Sequence, residues 1–283
     1  MNKYPLVSVI IPVFNTPKAS LLKAISSVIN QSYPNIEVCV CDDGSTNSVL
    51  KDDIMPLFLQ SLLKRNFCLM RHNYNRGISQ ARNTAIAAAN GDWLTWLDAD
   101  DTLDEGCIEQ LVNSSVNKTL VIGECIVDDG ETIHRRIPGP YFEAAKHTLG
   151  TLADPFLQNI ISIQPQLVSR QIFYKIGEFD TSYRFAELSD LFLRYVISEG
   201  LANFNYCPTA IYNYNRNVQD SHTSHRDELS FYRLKALNRY KKSNEMKNLE
   251  IYYIGRDAYS QMQRYGLKQL ETKPKPKEKI CHN

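Results

Sequence analysis

The chain has 283 residues, enough to bury a full core, and 43% of them are hydrophobic, which excludes a disordered polymer. Its 32 basic residues balance 31 acidic ones, so it lacks the basic excess of a dedicated nucleic-acid binder. The seven cysteines form no CxxC pair, the Met-Asn-Lys-Tyr start carries no apolar signal region, and no run approaches ~20 apolar residues. Reduced buried thiols, a cytoplasmic setting and no membrane span are expected.

Residues 6–14 (LVSVIIPVF) form a β-rich run ended by Asn15. Thr16 can cap a following helix, and Pro17 suits its first turn. Leu21, Leu22, Ile25, Val28 and Ile29 recur at helical spacing, which predicts an amphipathic helix over about 17–32. Ile36 to Cys41 is apolar on both faces, as in a parallel sheet covered on both sides, and ends in the polar loop Asp42-Asp43-Gly44-Ser45. A helix to about Lys64 and a short strand from Phe67 to Arg71 follow. Next come the loop Asn73-Tyr74-Asn75-Arg76-Gly77 and an alanine-rich helix from Ser79 to Ala89, closed by Asn90-Gly91.

Trp93 to Leu97 reads as a buried strand that runs straight into Asp98, Asp100 and Asp101. Packed like charges repel, so such a cluster calls for a positive neighbour, and a hard divalent cation is one answer. The other reading is a solvated acidic turn capping a helix that starts near Leu103. Four strands alternating with three helices predict a parallel α/β sheet. Right-handed crossovers then bring Asn15, Asp42, Asp43, Asn75 and Asp98 to Asp101 to one rim.

The second half is less regular. Thr119 to Val127 and Thr132 to Ile137 flank a turn at Asp128-Asp129-Gly130 and predict a hairpin. Residues 138–165 read as loop over the site. Leu167 to Ser169 reads as a strand, Gln171 to Ile176 as a short helix stopped by Gly177, and Asp190 to Ser198 as a helix closed by Gly200. Residues 228–270 read as two or three amphipathic helices, and the basic tail 271–283 as disordered.

In this order and spacing, VSVIIPVFN, VCDDGS, NRGISQARN and WLDADD resemble the N-terminal half of the family-two glycosyltransferases of GT-A fold. LVSRQIFYKIGEFDTSYRFAELSDLFLR extends the resemblance to about residue 200. It implies an α/β, Rossmann-like, mostly parallel sheet flanked by helices, with a C-terminal helical extension. The domains would be 1–217 (a nucleotide-sugar half, 1–101, and an acceptor half, 102–217), an extension over 218–270, and the tail. It further implies a UDP-sugar donor, Mn²⁺ or Mg²⁺, inversion at the anomeric carbon, and a glycan or glycolipid acceptor, as in bacterial surface polysaccharide or lipopolysaccharide synthesis on the inner face of the membrane.

Carried over residue by residue, Pro12, Phe14 and Asn15 line the nucleotide pocket. Asp43, with Asp42 beside it, meets the uracil edge. Asn75 and Arg82 lie near the base and diphosphate, and Asp98 and Asp100 are the acids of the DxD motif, the second ligating the metal. The family pattern Glu-Asp-x-Asp reads here Glu187-Leu188-Ser189-Asp190, so leucine stands where the catalytic base belongs. Glu187 is then the expected base and Asp190 the acceptor-orienting residue, with a merely dipole-favoured Asp190 as the plainer reading.

Other residues keep two readings. Arg82 either contacts diphosphate or lies on a solvated helix face, and Arg76 is open. His222 either ligates the metal or is a surface histidine, since Asn217 holds the more usual position; His225 matches less well. The aromatics from Phe231 to Tyr265 pack, stack on acceptor sugars, or meet a membrane surface beside the basic residues. Leu188 also supports an alternative, a catalytically weak or inactive relative that binds nucleotide-sugar or glycan for a partner. No GxGxxG follows any strand, which argues against a dinucleotide dehydrogenase, and no glycine-rich phosphate loop follows the first strand, which argues against a sugar-nucleotide pyrophosphorylase.

Overall fold

A computed structural model describes residues 4–46, 66–128, 130–136, 164–200 and 203–215, together with Glu228, Phe231, Tyr232, Lys235, Ala236 and Arg239. The β-branched run Val7–Val13 (β1) pairs in parallel with Ile36–Asp42 (β2) along its whole length, from Val7 opposite Ile36 to Val13 opposite Asp42. Asn66–Arg71 (β3) lies parallel beyond β2, and Trp93–Trp96 (β4) lies parallel on the other side of β1. The four strands therefore end at one rim in the order β3-β2-β1-β4.

Beyond β4 the sheet turns mixed. Gln166–Ser169 (β8) runs antiparallel to β4 and to Leu120–Asp128 (β6). On its other side β6 pairs in parallel with Phe204–Asn215 (β9), and Thr102–Leu103 (β5) closes the far edge against β9. Ile133–Arg136 (β7) forms the expected hairpin with β6.

Strand alternation sorts the core onto the two faces. From β1, Val7, Val9, Ile11 and Val13 face Lys18–Ile29 (α1) and Cys107–Asn113 (α3), whereas Ile10 joins Cys39 and Cys41 of β2 on the opposite face. There Ile78–Ala88 (α2) packs through Ala81, Ala85 and Ile86, beside Arg170–Ile176 (α4) and Glu187–Glu199 (α5). Each fully buried Val, Leu, Ile or Phe contributes roughly 1.5–3 kcal/mol, so the two layers anchor the rim.

One polar pair crosses this core. Glu37 accepts from Ser8 Oγ and from the backbone N–H groups of Asn90 and Gly91, which fixes the turn from α2 into β4. A Cβ at Gly91 would lie 2.7 Å from Ser8 N and 2.8 Å from Trp93 O, so a glycine is required there. Among the described residues no disulfide joins the cysteines, and burial pushes Cys41 up to about 12, which keeps it from acting as a nucleophile.

Three boundaries and one burial differ from what the sequence predicts. Pro17, not Thr16, holds the N-cap position of α1, and no side chain caps it. No helix begins at Leu103: that residue belongs to β5, and α3 starts at Cys107. The acidic segment is not a solvated turn, because Asp101 is 1% exposed. Helix α5 begins a turn early, at Glu187, after Ala186 in left-handed backbone. The helix expected before Lys64, the loop 138–163 and most of 218–283 lie outside the described residues. No described helix is long and apolar enough to cross a membrane.

Candidate active site

The rim is knitted by short polar side chains that stand in for missing backbone partners. Asn15, at φ 50°, donates its N–H to Ser45 Oγ at 2.9 Å, and its Oδ1 accepts from Thr46 N at 2.9 Å. Asp42 is fully buried. Its Oδ1 accepts from Ser45 N at 2.9 Å, and Oδ2 lies 2.7 Å from Arg71, out of line for a hydrogen bond. Gly44, at φ +73°, sits against the next loop: a Cβ there would come within 2.6 Å of Tyr74 Cα and 2.8 Å of Asn75 N. At Gly44 the 42–46 and 73–77 loops thus meet backbone to backbone. Pro12 is buried at the end of β1, while Phe14 is 46% exposed and Asn75 also faces outward.

Asp43 joins these loops to α2. Its Oδ1 accepts from Arg76 N at 2.8 Å and meets His72 Nδ1 at 2.6 Å; its Oδ2 accepts from Gly77 N at 2.8 Å. His72 is a residue the sequence reading missed, since a lone histidine before an Asn-rich loop carries no pattern.

At the end of β4 the acids part company. Asp101 turns inward, where Tyr212 Oη donates to it at 2.5 Å and Asn215 N at 2.7 Å. Burial, then the charges of Asp98 and Asp100, push Asp101 well above the ordinary carboxylate range despite those donors. Asp100 is pushed up to about 6, by burial first and by Asp98 second. Apart from its own backbone, no hydrogen bond reaches it among the described residues. A carboxyl pair repelling itself in a partly dry site is what a bound cation relieves. Among the described residues no three His, Cys, Asp or Glu side chains are gathered to hold an ion by themselves. Asp100 and Asp98 could supply at most part of a hard cation's oxygen shell, with phosphate and water supplying the rest.

Arg82 is neither on a solvated face nor free. It is 1% exposed, donates to Asp98 Oδ1 at 2.8 Å and to Glu187 Oε1, and lies 5.4 Å from the Phe179 ring centre. Burial opposes its charge, but Glu187 and Asp98 more than offset this and hold the guanidinium charged. One side chain thus ties the end of β4 to the start of α5.

On α5, Leu188 packs against the core, and Glu187 is 7% exposed. Asp190 is fully buried; Arg194 Nε donates to it at 2.9 Å, and Arg239 lies 3.6 Å away. Arg239 also donates to Asp180, and Lys235 reaches Ser182 Oγ at 3.0 Å. Tyr232 packs 5.9 Å from Tyr183 and 6.1 Å from Phe185, so this aromatic is a packing residue. His222 and His225 lie outside the described residues. The parallel strands end Asn15, Asp42, Asp43, Asp98 and Asp100 at one edge, where Asp43 reaches the loop after Asn75 and Arg82 joins Asp98 to Glu187; Asp190 is buried against Arg194.

The family model described as "Glycosyl transferase family 2" matches residues 8–177. Glycosyltransferase GlyG of Streptococcus pneumoniae serotype 4 is 35% identical over 121 residues, 42% of this chain and 38% of the relative. The hyaluronan synthase of Pasteurella multocida is 30% identical over 161 residues, 55% of this chain and 16% of the relative. This chain thus spans well under two thirds of the length of these relatives. Among solved structures, the mannosyltransferase PcManGT of Pyrobaculum calidifontis, in complex with GDP-Man and Mn²⁺, superposes with a TM-score of 0.66 at 15% identity, covering 95% of this chain and 77% of that one.

Proposed function

The chain belongs to glycosyl transferase family 2, and from that premise we propose that it transfers a sugar from a UDP-sugar, with inversion, to a hydroxyl of a glycan or glycolipid acceptor. The observation that carries this reading is Arg82, which joins the acid at the end of β4 to the acid opening α5. Donor chemistry and acceptor chemistry then meet within the span of one side chain.

Asp43 accepts the imide N–H of uracil, which selects against cytosine, whose ring nitrogen is an acceptor. Pro12, Phe14, Asn15, Asp42 and Asn75 shape the pocket around the nucleoside. Asp100, with Asp98, holds Mn²⁺ or Mg²⁺. That ion, when bound, stabilises the negative charge that builds on the departing diphosphate. A hyaluronan synthase among the relatives and a Mn²⁺ complex among the structural neighbours favour a glycan acceptor and a metal.

Glu187 is the proton acceptor. The acceptor hydroxyl oxygen attacks the anomeric carbon from the face opposite the diphosphate. The bond to the diphosphate oxygen breaks with its electron pair, and the hydroxyl proton passes to the Glu187 carboxylate. Arg82 orients that carboxylate. The work takes place at the inner face of the membrane, on surface polysaccharide or lipopolysaccharide.

A second reading rests on a specific observation. Leu188 replaces the expected acid, and both neighbouring carboxylates are engaged by arginines. That arrangement suits a weak or inactive relative that binds donor or glycan for a partner. Incubation with a panel of UDP-sugars, Mn²⁺ and glycan acceptors, followed by NMR of the new linkage, separates the two. Product of inverted configuration supports transfer. Tight UDP binding with neither transfer nor hydrolysis supports the second reading.

A further inference from the structure

His72 is buried, at 7% exposure, and immediately follows β3. Its backbone N–H donates to Asp42 O at 2.8 Å, which fixes the residue at the rim. Its ring spans two elements. Nδ1 lies 2.6 Å from Asp43 Oδ1, and Nε2 lies 2.9 Å from Thr84 Oγ1 on α2 and 3.7 Å from Cys41 Sγ. A carboxylate only accepts hydrogen bonds, so Nδ1 carries the proton toward Asp43. Nε2 accepts a hydrogen bond from the Thr84 hydroxyl in the neutral ring, or donates one to that oxygen in the charged ring. In either form the imidazole is a strut between α2 and Asp43.

The strut bears on what Asp43 can still do. A carboxylate has roughly four acceptor positions. His72 and Arg76 N fill both on Oδ1, and Gly77 N fills one on Oδ2. One position remains, on Oδ2. The two backbone donors come from the loop leading into α2; the imidazole is the side-chain donor that ties the same carboxylate to the body of that helix.

We propose that His72 is the positioning residue of the nucleobase site, aiming the last acceptor position of Asp43 at the imide N–H of uracil. The proposal rests on the reading of Asp43 as the base-contacting acid. It assigns to His72 no contact with the donor; the residue acts through Asp43.

Calorimetric titration of UDP and CDP in the presence of Mn²⁺ tests it on the full chain, in wild type and in the Asp43→Asn, His72→Phe, His72→Asn and Thr84→Val variants. Wild type favours UDP over CDP. His72→Phe weakens UDP about tenfold and CDP little, so the ratio shrinks, an effect of the size expected for a misdirected charge-assisted hydrogen bond. His72→Asn regains part of the ratio, because its amide nitrogen stands near the lost Nδ1. A merely structural histidine would lower the melting temperature and move both nucleotides together. An unchanged ratio in His72→Phe, with Asp43→Asn collapsing it, overturns the proposal and leaves Asp43 as the base reader. A ratio untouched by Asp43→Asn overturns the reading of Asp43 itself. Should His72→Phe fail to fold, Thr84→Val decides. It keeps the ring on Asp43 but frees its far end, so a fall in the ratio supports the strut and no change sinks it.

Discussion

Asp43 and the acids of the acceptor end are held by different means. At the donor end Asp43 is fixed by two backbone amides and an imidazole, and Asp101 by a backbone amide and a tyrosine hydroxyl, whereas Asp42 and Asp98 each meet a guanidinium, of Arg71 and Arg82. At the acceptor end Glu187 is held by Arg82, Asp190 by Arg194 and Arg239, and Asp180 by Arg239. Backbone amides fix the geometry of a carboxylate without an opposing full charge. Guanidinium groups fix the geometry and spend the charge locally. The first arrangement suits an acid that must read a base, as proposed for Asp43; Asp98 gives part of its charge to Arg82 and leaves Asp100 as the freer acid toward a cation. The second suits acids that must stay in place, and it puts the burden of proof on Glu187 as a proton acceptor.

The largest effect tests the donor end. Asp100→Ala is expected to lower transfer about 10³–10⁵-fold, the several kcal/mol supplied by stabilising a leaving diphosphate. Mn²⁺-dependent UDP binding is lost with it while the melting temperature stays near wild type. UDP affinity that is the same with and without EDTA in wild type, and unchanged in the variant, breaks the contrast at its stronger side.

Next comes the acceptor end. Glu187→Gln keeps the shape and the Arg82 contact but cannot take a proton, so transfer falls roughly 10²–10⁴-fold with UDP affinity preserved. Full activity in this variant moves proton acceptance elsewhere. Asp190 could take it over only by leaving its buried pair with Arg194.

The link between the two ends is smaller in energy but wider in reach. Arg82→Met leaves Glu187 facing a buried space without a partner and costs about 2–4 kcal/mol by thermal melting, less than a fully buried pair because Asp98 is part exposed. Both donor affinity and transfer should suffer. Loss confined to one of them means that Arg82 serves one end alone.

How much of this could be read from the chain divides along the same line. The β1 and β2 runs are legible because β-branched residues buried on both faces leave a continuous apolar signal, and the acids after them stand out as motifs. The partners of those acids are not legible. Arg82 reaches acids 16 and 105 residues away, and His72 reaches Asp43 across 29. Two-residue β5 is too short to carry a period, and it forms by pairing with distant β9. The start of α5 is not legible because Ala186 offers no capping oxygen and enters through left-handed backbone.

The smallest effect asks whether the C-terminal residues belong to the acceptor end at all. Burial pushes Asp180 up, but the Ser182 backbone and hydroxyl and the Arg239 guanidinium outweigh it and hold Asp180 at about 2. A carboxylate held below its ordinary value stabilises the fold at neutral pH. That contribution fades as pH falls from about 4 toward about 2. Arg239→Ala should therefore lower stability at neutral pH by less than about 1 kcal/mol, since the pair is part exposed. The gap to wild type should narrow as Asp180 takes up its proton in acid, leaving only the loss from the longer contact with Asp190. Melting curves of both proteins across that range would reveal the convergence. Parallel curves, or none of the expected loss at neutral pH, would detach Arg239 from Asp180 and leave the acceptor end resting on Arg82 and Arg194 alone.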